Sequence, residues 1–223
     1  MNIKKLIAVT LSAATFALSL TACGGKSSDS SAGSSSAAES TTVKLGVVGS
    51  IYEDLWKPAQ ESLKAEGIDL EIVQFSDYAT PNNALNSGDI DLNAFQHQIY
   101  LDNEVEQQGY KIQSIGYTFI IPLNIYSHKV KAIADIKDGD VVAIPDDVTN
   151  GGRATKVLAA AGLITLKEDA GFNPTLEDIK TYNTKITIKE LKANTIPSVL
   201  DDVTAAVVNG NYALDFGLKT DEA

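Results

Sequence analysis

Residues 43–75 read VKLGVVGSIYEDLWKPAQESLKAEGIDLEIVQF. Val43 to Val48 is a short apolar run ending in Gly49-Ser50, the pattern of a buried strand. Residues 52–66 carry helical spacing at Leu55, Ala59 and Leu63. Pro58 sits inside that stretch, so the regular helix is expected to start near it, with proline tolerated in a first turn. Gly67 stops the helix, and Asp69 to Phe75 reads as a second strand. Strand, helix and strand in immediate succession make the unit from which parallel sheets are built.

The alternation continues downstream. Pro81 to Asn86 reads as a short helix, Ile90 to His97 as a third strand, and Ile99 to Gln108 as a helix closed by Gly109. Lys111 to Ser127 is long and strand-rich, interrupted by Pro122, and is the natural crossover between two blocks. Asp140 to Ile144 is a strand, and Asn150 to Ala161 a helix stopped by Gly162. An irregular stretch with Gly171 and Pro174 leads to a strand at Lys185 to Ile188. Ile196 to Leu200 is helical, Thr204 to Val208 a final strand, and Tyr212 to Leu218 a short helix. The expected fold is α/β, two-lobed, with mostly parallel sheets, flanking helices and a ligand cleft between the lobes. Lobe 1 is placed at 43–125 and lobe 2 at 126–223. The chain stops five residues after Leu218. The segment that would return to lobe 1 is therefore expected to be missing, as in a C-terminally truncated product.

Upstream of this, residues 1–22 read as a secretory signal. Lys4 and Lys5 form its basic start, and Leu6 to Leu20 is an apolar run of 15 residues, short of the roughly 20 that a spanning helix needs. Leu20-Thr21-Ala22-Cys23 resembles the bacterial lipobox, in which the cysteine becomes the lipidated first residue. Residues 24–42 (GGKSSDSSAGSSSAAESTT) have almost no apolar bulk and cannot build a core. As a flexible tether they would separate their ends by roughly 20–25 Å. The expected location is the cell membrane, lipid-anchored through Cys23 and facing the extracytoplasmic side.

Composition excludes several classes of function. The chain of 223 residues has 18 Lys+Arg against 29 Asp+Glu, for a formal charge of −11. That balance argues against a nucleic-acid partner. One cysteine excludes a disulfide framework and a cysteine-based zinc site, and two histidines exclude a multi-histidine metal site. The sequence holds no Gly-x-Ser-x-Gly elbow, no His-Glu-x-x-His and no P-loop. The chain is therefore expected not to be an enzyme and to need no cofactor. Only a glycosidase-type carboxylate pair remains as a formal possibility, with nothing to support it.

Ligands of open α/β sheets sit at the carboxyl ends of strands. Phe95 and His97 are two residues apart at such an end and face one side. Tyr100, one turn into the next helix, can close over them, and Tyr78 follows the second strand. Together they form a cage suited to an apolar or soft side chain. Read as structure alone, Phe95 and Tyr100 are core residues and His97 is a satisfied histidine, which spacing by itself favours. Arg153 stands one turn into a helix opening with Asn150-Gly151-Gly152, where it either clamps a carboxylate or pairs with Asp146 or Asp147 on the surface. Asn209 and Asn211 either read a ligand's polar end or form a turn.

Several stretches resemble the NlpA/MetQ family, the substrate-binding lipoproteins of methionine ABC importers. They are the lipobox, Phe75-Ser76-Asp77-Tyr78 through Asn82, Asp91 to Leu101 (DLNAFQHQIYL), Ile144 to Arg153 (IPDDVTNGGR), Leu200-Asp201-Asp202 and Val208 to Ala213 (VNGNYA). The resemblance covers residues 43–218 and implies a periplasmic-binding-protein fold holding methionine, the L form first and the D form as an alternative, between two lobes. It implies that Tyr78, Phe95, His97 and Tyr100 line the thioether pocket. Arg153 would pair with the carboxylate, Asn150 would lie nearby, and Asn211 would help hold the polar end. The implied partners are methionine or a similar small amino acid, the ABC permease and ATPase subunits, and the membrane through the lipid anchor. Family members continue well past the Asn-Tyr-Ala segment. Two other readings stand beside this one: a related lipoprotein for another small amino acid or dipeptide, since some family members bind such ligands, and, from the missing continuation, a truncated surface lipoprotein without transport activity.

Overall fold

The computed structural model describes residues 40–223. The signal, Cys23 and the Ser-rich tract up to residue 39 lie outside the described residues. Strand β1 (Thr41–Val48) is the centre of a three-stranded sheet ordered β2-β1-β3, with β2 at Ile68–Phe75 and β3 at Leu92–Asn93. Both pairings are parallel, and β2 runs in register from Thr41 opposite Ile68 to Val48 opposite Phe75. The crossover is helix α1 (Ile51–Ala65), which packs on β2 and buries Tyr52. Pro58 lies inside α1, not at its start. The carbonyl it leaves without an N–H partner belongs to Asp54, an exposed residue that water can reach.

Helices α2 (Thr80–Ser87) and α3 (Gln98–Gln108) follow. The expected third strand over 90–97 shrinks to Leu92–Asn93 because its backbone follows β1 only as far as Ala94 and then turns to enter α3 at the His97 cap. Asn82 and Gln96 exchange amide bonds of 2.8 and 2.7 Å, and Asn93 Nδ2 donates to Asn82 Oδ1 at 2.9 Å. Residues 109–122 have no regular structure. Of the stretch expected to be strand-rich over 111–127, only β4 (Leu123–Tyr126) finds a partner strand.

The second sheet has the order β4-β9-β5-β8, with β5 at Val141–Pro145, β8 at Thr187–Leu191 and β9 at Ala205–Asn209. Strand β5 is parallel to both β8 and β9, and β4 is antiparallel to β9. Helix α4 (Val148–Ala160) follows β5, and the short helix α5 (Gly210–Asp215) follows β9. Two strands that the sequence pattern does not announce, β6 (Ile164–Leu166) and β7 (Ile179–Tyr182), form a separate antiparallel pair.

The sheets are tied together. Val48 at the end of β1 shares one buried cluster with Ala143, Ala206, Val208 and Tyr212. The Ser50 backbone N–H and hydroxyl both donate to Asp215 Oδ1, at 2.8 and 2.6 Å. Gly49 makes this turn possible: its φ is 104°, and a Cβ there would come within 2.7 Å of the Asp215 carboxylate. Among the described residues no helix is long and apolar enough to cross a membrane.

Candidate functional site

Each residue singled out above lies where a strand ends or a helix begins. Tyr78 follows β2, Phe95 follows β3, and His97 is the N-cap of α3. Tyr100 is in the first turn of α3, Asn150 and Arg153 lie in the first turns of α4, and Asn211 is in α5. All seven belong to one connected group. The Tyr78 ring lies 5.9 Å from Phe95 and 6.0 Å from Tyr100, centroid to centroid, and Phe95 meets Tyr100 edge-on at 6.0 Å. His97 stands edge-on to Tyr100 at 6.1 Å. Such offset and edge contacts contribute about 0.5–1.5 kcal/mol per pair beyond burial.

His97 is fixed at both ring nitrogens. Nδ1 accepts the Tyr100 backbone N–H at 3.1 Å, so the proton of the neutral ring is on Nε2, which faces Asn150 Oδ1 at 3.4 Å. Burial lowers its pKa, and the nearby Arg153 charge lowers it further, against the opposing bond to Asn150. The imidazole is thus held neutral, with an apolar face to the rings and a donor toward α4.

Asn150 is the polar hub. Its Oδ1 accepts from Arg153 Nη1 at 2.8 Å and from Asn209 Nδ2 at 3.0 Å, besides the longer contact from His97. Its Nδ2 donates to both carboxylate oxygens of Asp147, at 3.1 and 3.0 Å. Asp147 also caps α4 by accepting the Asn150 backbone N–H at 2.8 Å. This carboxylate is therefore spent on the helix start. Among the described residues no carboxylate lies within 4.0 Å of Arg153, so the surface pairing with Asp146 or Asp147 does not occur. Burial lowers the pKa of the half-buried guanidinium, opposed by Tyr78 and Asp147. A partly desolvated cation held by a neutral amide oxygen is an open site for an anion. The glycines beside it serve packing: a Cβ on Gly152 would lie 2.9 Å from the Asn173 backbone.

Asn211 has both ends occupied. Its Oδ1 accepts from the Tyr78 hydroxyl at 2.5 Å, and its Nδ2 donates to the Val48 carbonyl at 3.0 Å. Two neighbours carry free polar atoms: Asn209, left open by the sequence between a ligand contact and a turn, and Tyr212, read only as a helix residue. Asn209 and Tyr212 are 6% and 7% exposed, and neither Asn209 Oδ1 nor the Tyr212 hydroxyl has a partner among the described residues. The one sequence signal was Asn209 itself, a lone amide ending an otherwise apolar strand. Among the described residues no cluster of three metal-ligating groups exists. A polar surface concavity of about 620 Å³ between α1 and β2, lined by Glu53, Lys57, Asp69 and Glu71, lies apart from this group.

Known proteins bear on this arrangement. The chain is 41% identical to outer membrane lipoprotein 3 of Mannheimia haemolytica over 96% of its length and 77% of that protein's. It is 44% identical to the D-methionine-binding lipoprotein MetQ of Salmonella typhimurium over 79% of this chain, spanning 66% of the relative. Among solved structures, a nutrient binding protein from Burkholderia cenocepacia bound to methionine superposes with a TM-score of 0.77 at 43% identity, covering 81% of this chain and 76% of that one. A crystal structure of the methionine binding protein MetQ gives a TM-score of 0.78 at 41% identity, covering 81% and 75%. The sequence profile of NlpA lipoproteins matches residues 43–223, and the chain belongs to the NlpA lipoprotein family.

Proposed function

We propose that this chain is the substrate-binding lipoprotein of an ABC importer, anchored to the membrane through Cys23, and that it binds methionine without altering it. The observation that carries the reading is Arg153: a half-buried cation, oriented by Asn150, with no carboxylate partner among the described residues. A ligand carboxylate would complete it. Tyr78, Phe95, His97 and Tyr100 supply rings against which a thioether gains roughly 0.3–1.5 kcal/mol per contact. Asn209 Oδ1 is an acceptor for the ligand's ammonium. Relatives and solved neighbours named for methionine support the same ligand.

The wall of rings comes from the segment carrying β2, β3 and α3, and the polar corner from β9 and α4. The proposed lobes divide there, near residue 125, and ligand contacts to both would favour the closed arrangement. Closed protein would then be read by the permease and ATPase.

Calorimetric titration with L-methionine tests this. Arg153→Ala is expected to weaken binding about ten- to hundredfold, the worth of charge-assisted hydrogen bonds. Unchanged affinity in Arg153→Ala, or no binding by the unaltered protein, refutes the reading.

A further inference from the structure

Three tyrosines of this region, Tyr52 and Tyr100 buried and Tyr78 partly buried, spend their hydroxyls on protein carbonyls or amides. Tyr52 donates to the Phe95 carbonyl at 3.3 Å, Tyr100 to the Tyr78 carbonyl at 3.1 Å, and Tyr78 to Asn211. Tyr212 is as deeply buried and does not. Its ring packs against Tyr78 with centroids 4.8 Å apart, so it continues the aromatic wall on the side of α5. Asn209 is the N-cap of α5, and Tyr212 is three residues further on, so the two lie on one side of the first turn. Asn209 cannot turn its amide to use its free oxygen elsewhere, because Nδ2 is held on Asn150.

A buried hydroxyl without a partner is costly, and a fold that keeps one has a reason to leave it open. We infer that the Tyr212 hydroxyl is a ligand contact, a second acceptor that joins Asn209 Oδ1 in receiving the N–H bonds of the α-ammonium of a free amino acid. The inference rests on the amino-acid-binding reading above and adds to it a residue that selects for the amine. The sign of the surrounding charge favours a cation there. Burial is the first cause that resists ionisation of the hydroxyl, and the carboxylates of Asp77, Asp147 and Asp215 act in the same direction. Arg153 Nη1 and Asn209 Nδ2 both donate to Asn150 Oδ1, so the guanidinium that would take the ligand's carboxylate and the acceptors that would take its ammonium meet at one amide.

The test uses two ligands on the whole protein, L-methionine and 4-(methylsulfanyl)butanoate, which is the same molecule without the amine. Tyr212→Phe is expected to weaken L-methionine by about tenfold or more, as for a hydrogen bond to a charged group, and to leave the amine-free acid unchanged. The melting temperature of the ligand-free variant should equal or exceed that of the unaltered protein, since only an unpaired hydroxyl has been removed. Equal affinity for L-methionine in both proteins overturns the inference alone. Equal losses for both ligands, or a variant that no longer melts cooperatively, also overturn it, because the hydroxyl then serves packing or a buried water. Failure of the unaltered protein to bind L-methionine overturns the underlying reading as well.

Discussion

Strand β9 buries all five of its residues, whereas β2 buries one of its eight, Leu70. In the sequence β9 is an uninterrupted apolar run closed by Asn209, whereas β2 interleaves its apolar residues with Asp69, Glu71 and Gln74. Their neighbours differ as well. β9 stands between β4 and β5 inside the second sheet, while β2 is an edge with β1 on one side only. The contrast extends beyond the strands. Leu158, Ile196, Val142 and Val207 are fully buried in or around the second sheet. After α3, in contrast, Ile115, Tyr117 and Ile120 are 80–88% exposed. The lesson is that β-pattern alone does not bury a segment. A strand needs partners on its edges and a layer on its face, and the first half of this fold has fewer of both.

The sharpest way to break this comparison is a pair of truncations. Leu158→Ala in α4 should cost about 2–5 kcal/mol in urea unfolding, the range for large-to-small changes in a closed core. Ile120→Ala should stay within about 0.5 kcal/mol, because its side chain gives up little on unfolding. A large loss at Ile120 would mean that the exposed stretch is covered in solution.

A smaller effect compares the carboxylates that start a helix in each half. Asp147 receives bonds from the Asn150 backbone, the Asn150 amide and the Thr149 hydroxyl. Asp77 receives the Ala79 and Thr80 backbone N–H groups and the Thr80 hydroxyl, all at 2.9 Å, at an exposed corner. Asp147→Ala should cost about 1–2 kcal/mol and Asp77→Ala about 0.5–1 kcal/mol, by the usual worth of caps. Reversal of that order would show that burial around α4 does not amplify its cap.

The smallest effect is one of pH. His97 is held neutral, with its folded pKa below the unfolded value of about 6.5. Between those two values the unfolded chain binds more protons, so stability rises with pH there. This contribution is complete above about pH 6.5 and is lost as pH falls through the folded pKa. Melting curves from pH 8 to pH 4 should therefore slope less in His97→Asn, which keeps a capping side chain, than in the unaltered protein. Parallel slopes would mean that His97 does not carry this dependence.

Much of the architecture is legible in the residues, and its gaps have physical causes. β1, β5 and β9 are apolar runs closed by Gly, Pro or Asn, and they sit within a residue or two of where the pattern puts them. Ile90 to His97 reads as a strand, but its backbone follows β1 only as far as Ala94 before turning into α3 at the His97 cap, which leaves two residues in the ladder. The β6–β7 pair is hidden because Gly171 and Pro174 interrupt the stretch between strands of three and four residues. At the site, the strand-end rule points to the segments around Tyr78, Phe95 to His97, Asn150 to Arg153 and Asn209 to Asn211, and the family resemblance narrows these, with Tyr100, to seven side chains that lie in one connected group. The free atoms of Asn209 and Tyr212 are invisible in one dimension, because an unpaired acceptor is defined by what surrounds it.

The turn after β1 has a further consequence, one of timing. Ser50 is held by Asp215, 165 residues later, and the Val48 carbonyl by Asn211, 163 residues later. Both fastenings join the opening strand to the closing helix, so they form only after the longest loops of the fold have closed. Until then β1 is held by its pairings with β2 and β3. The end of β1 is thus among the last parts of the fold to be secured.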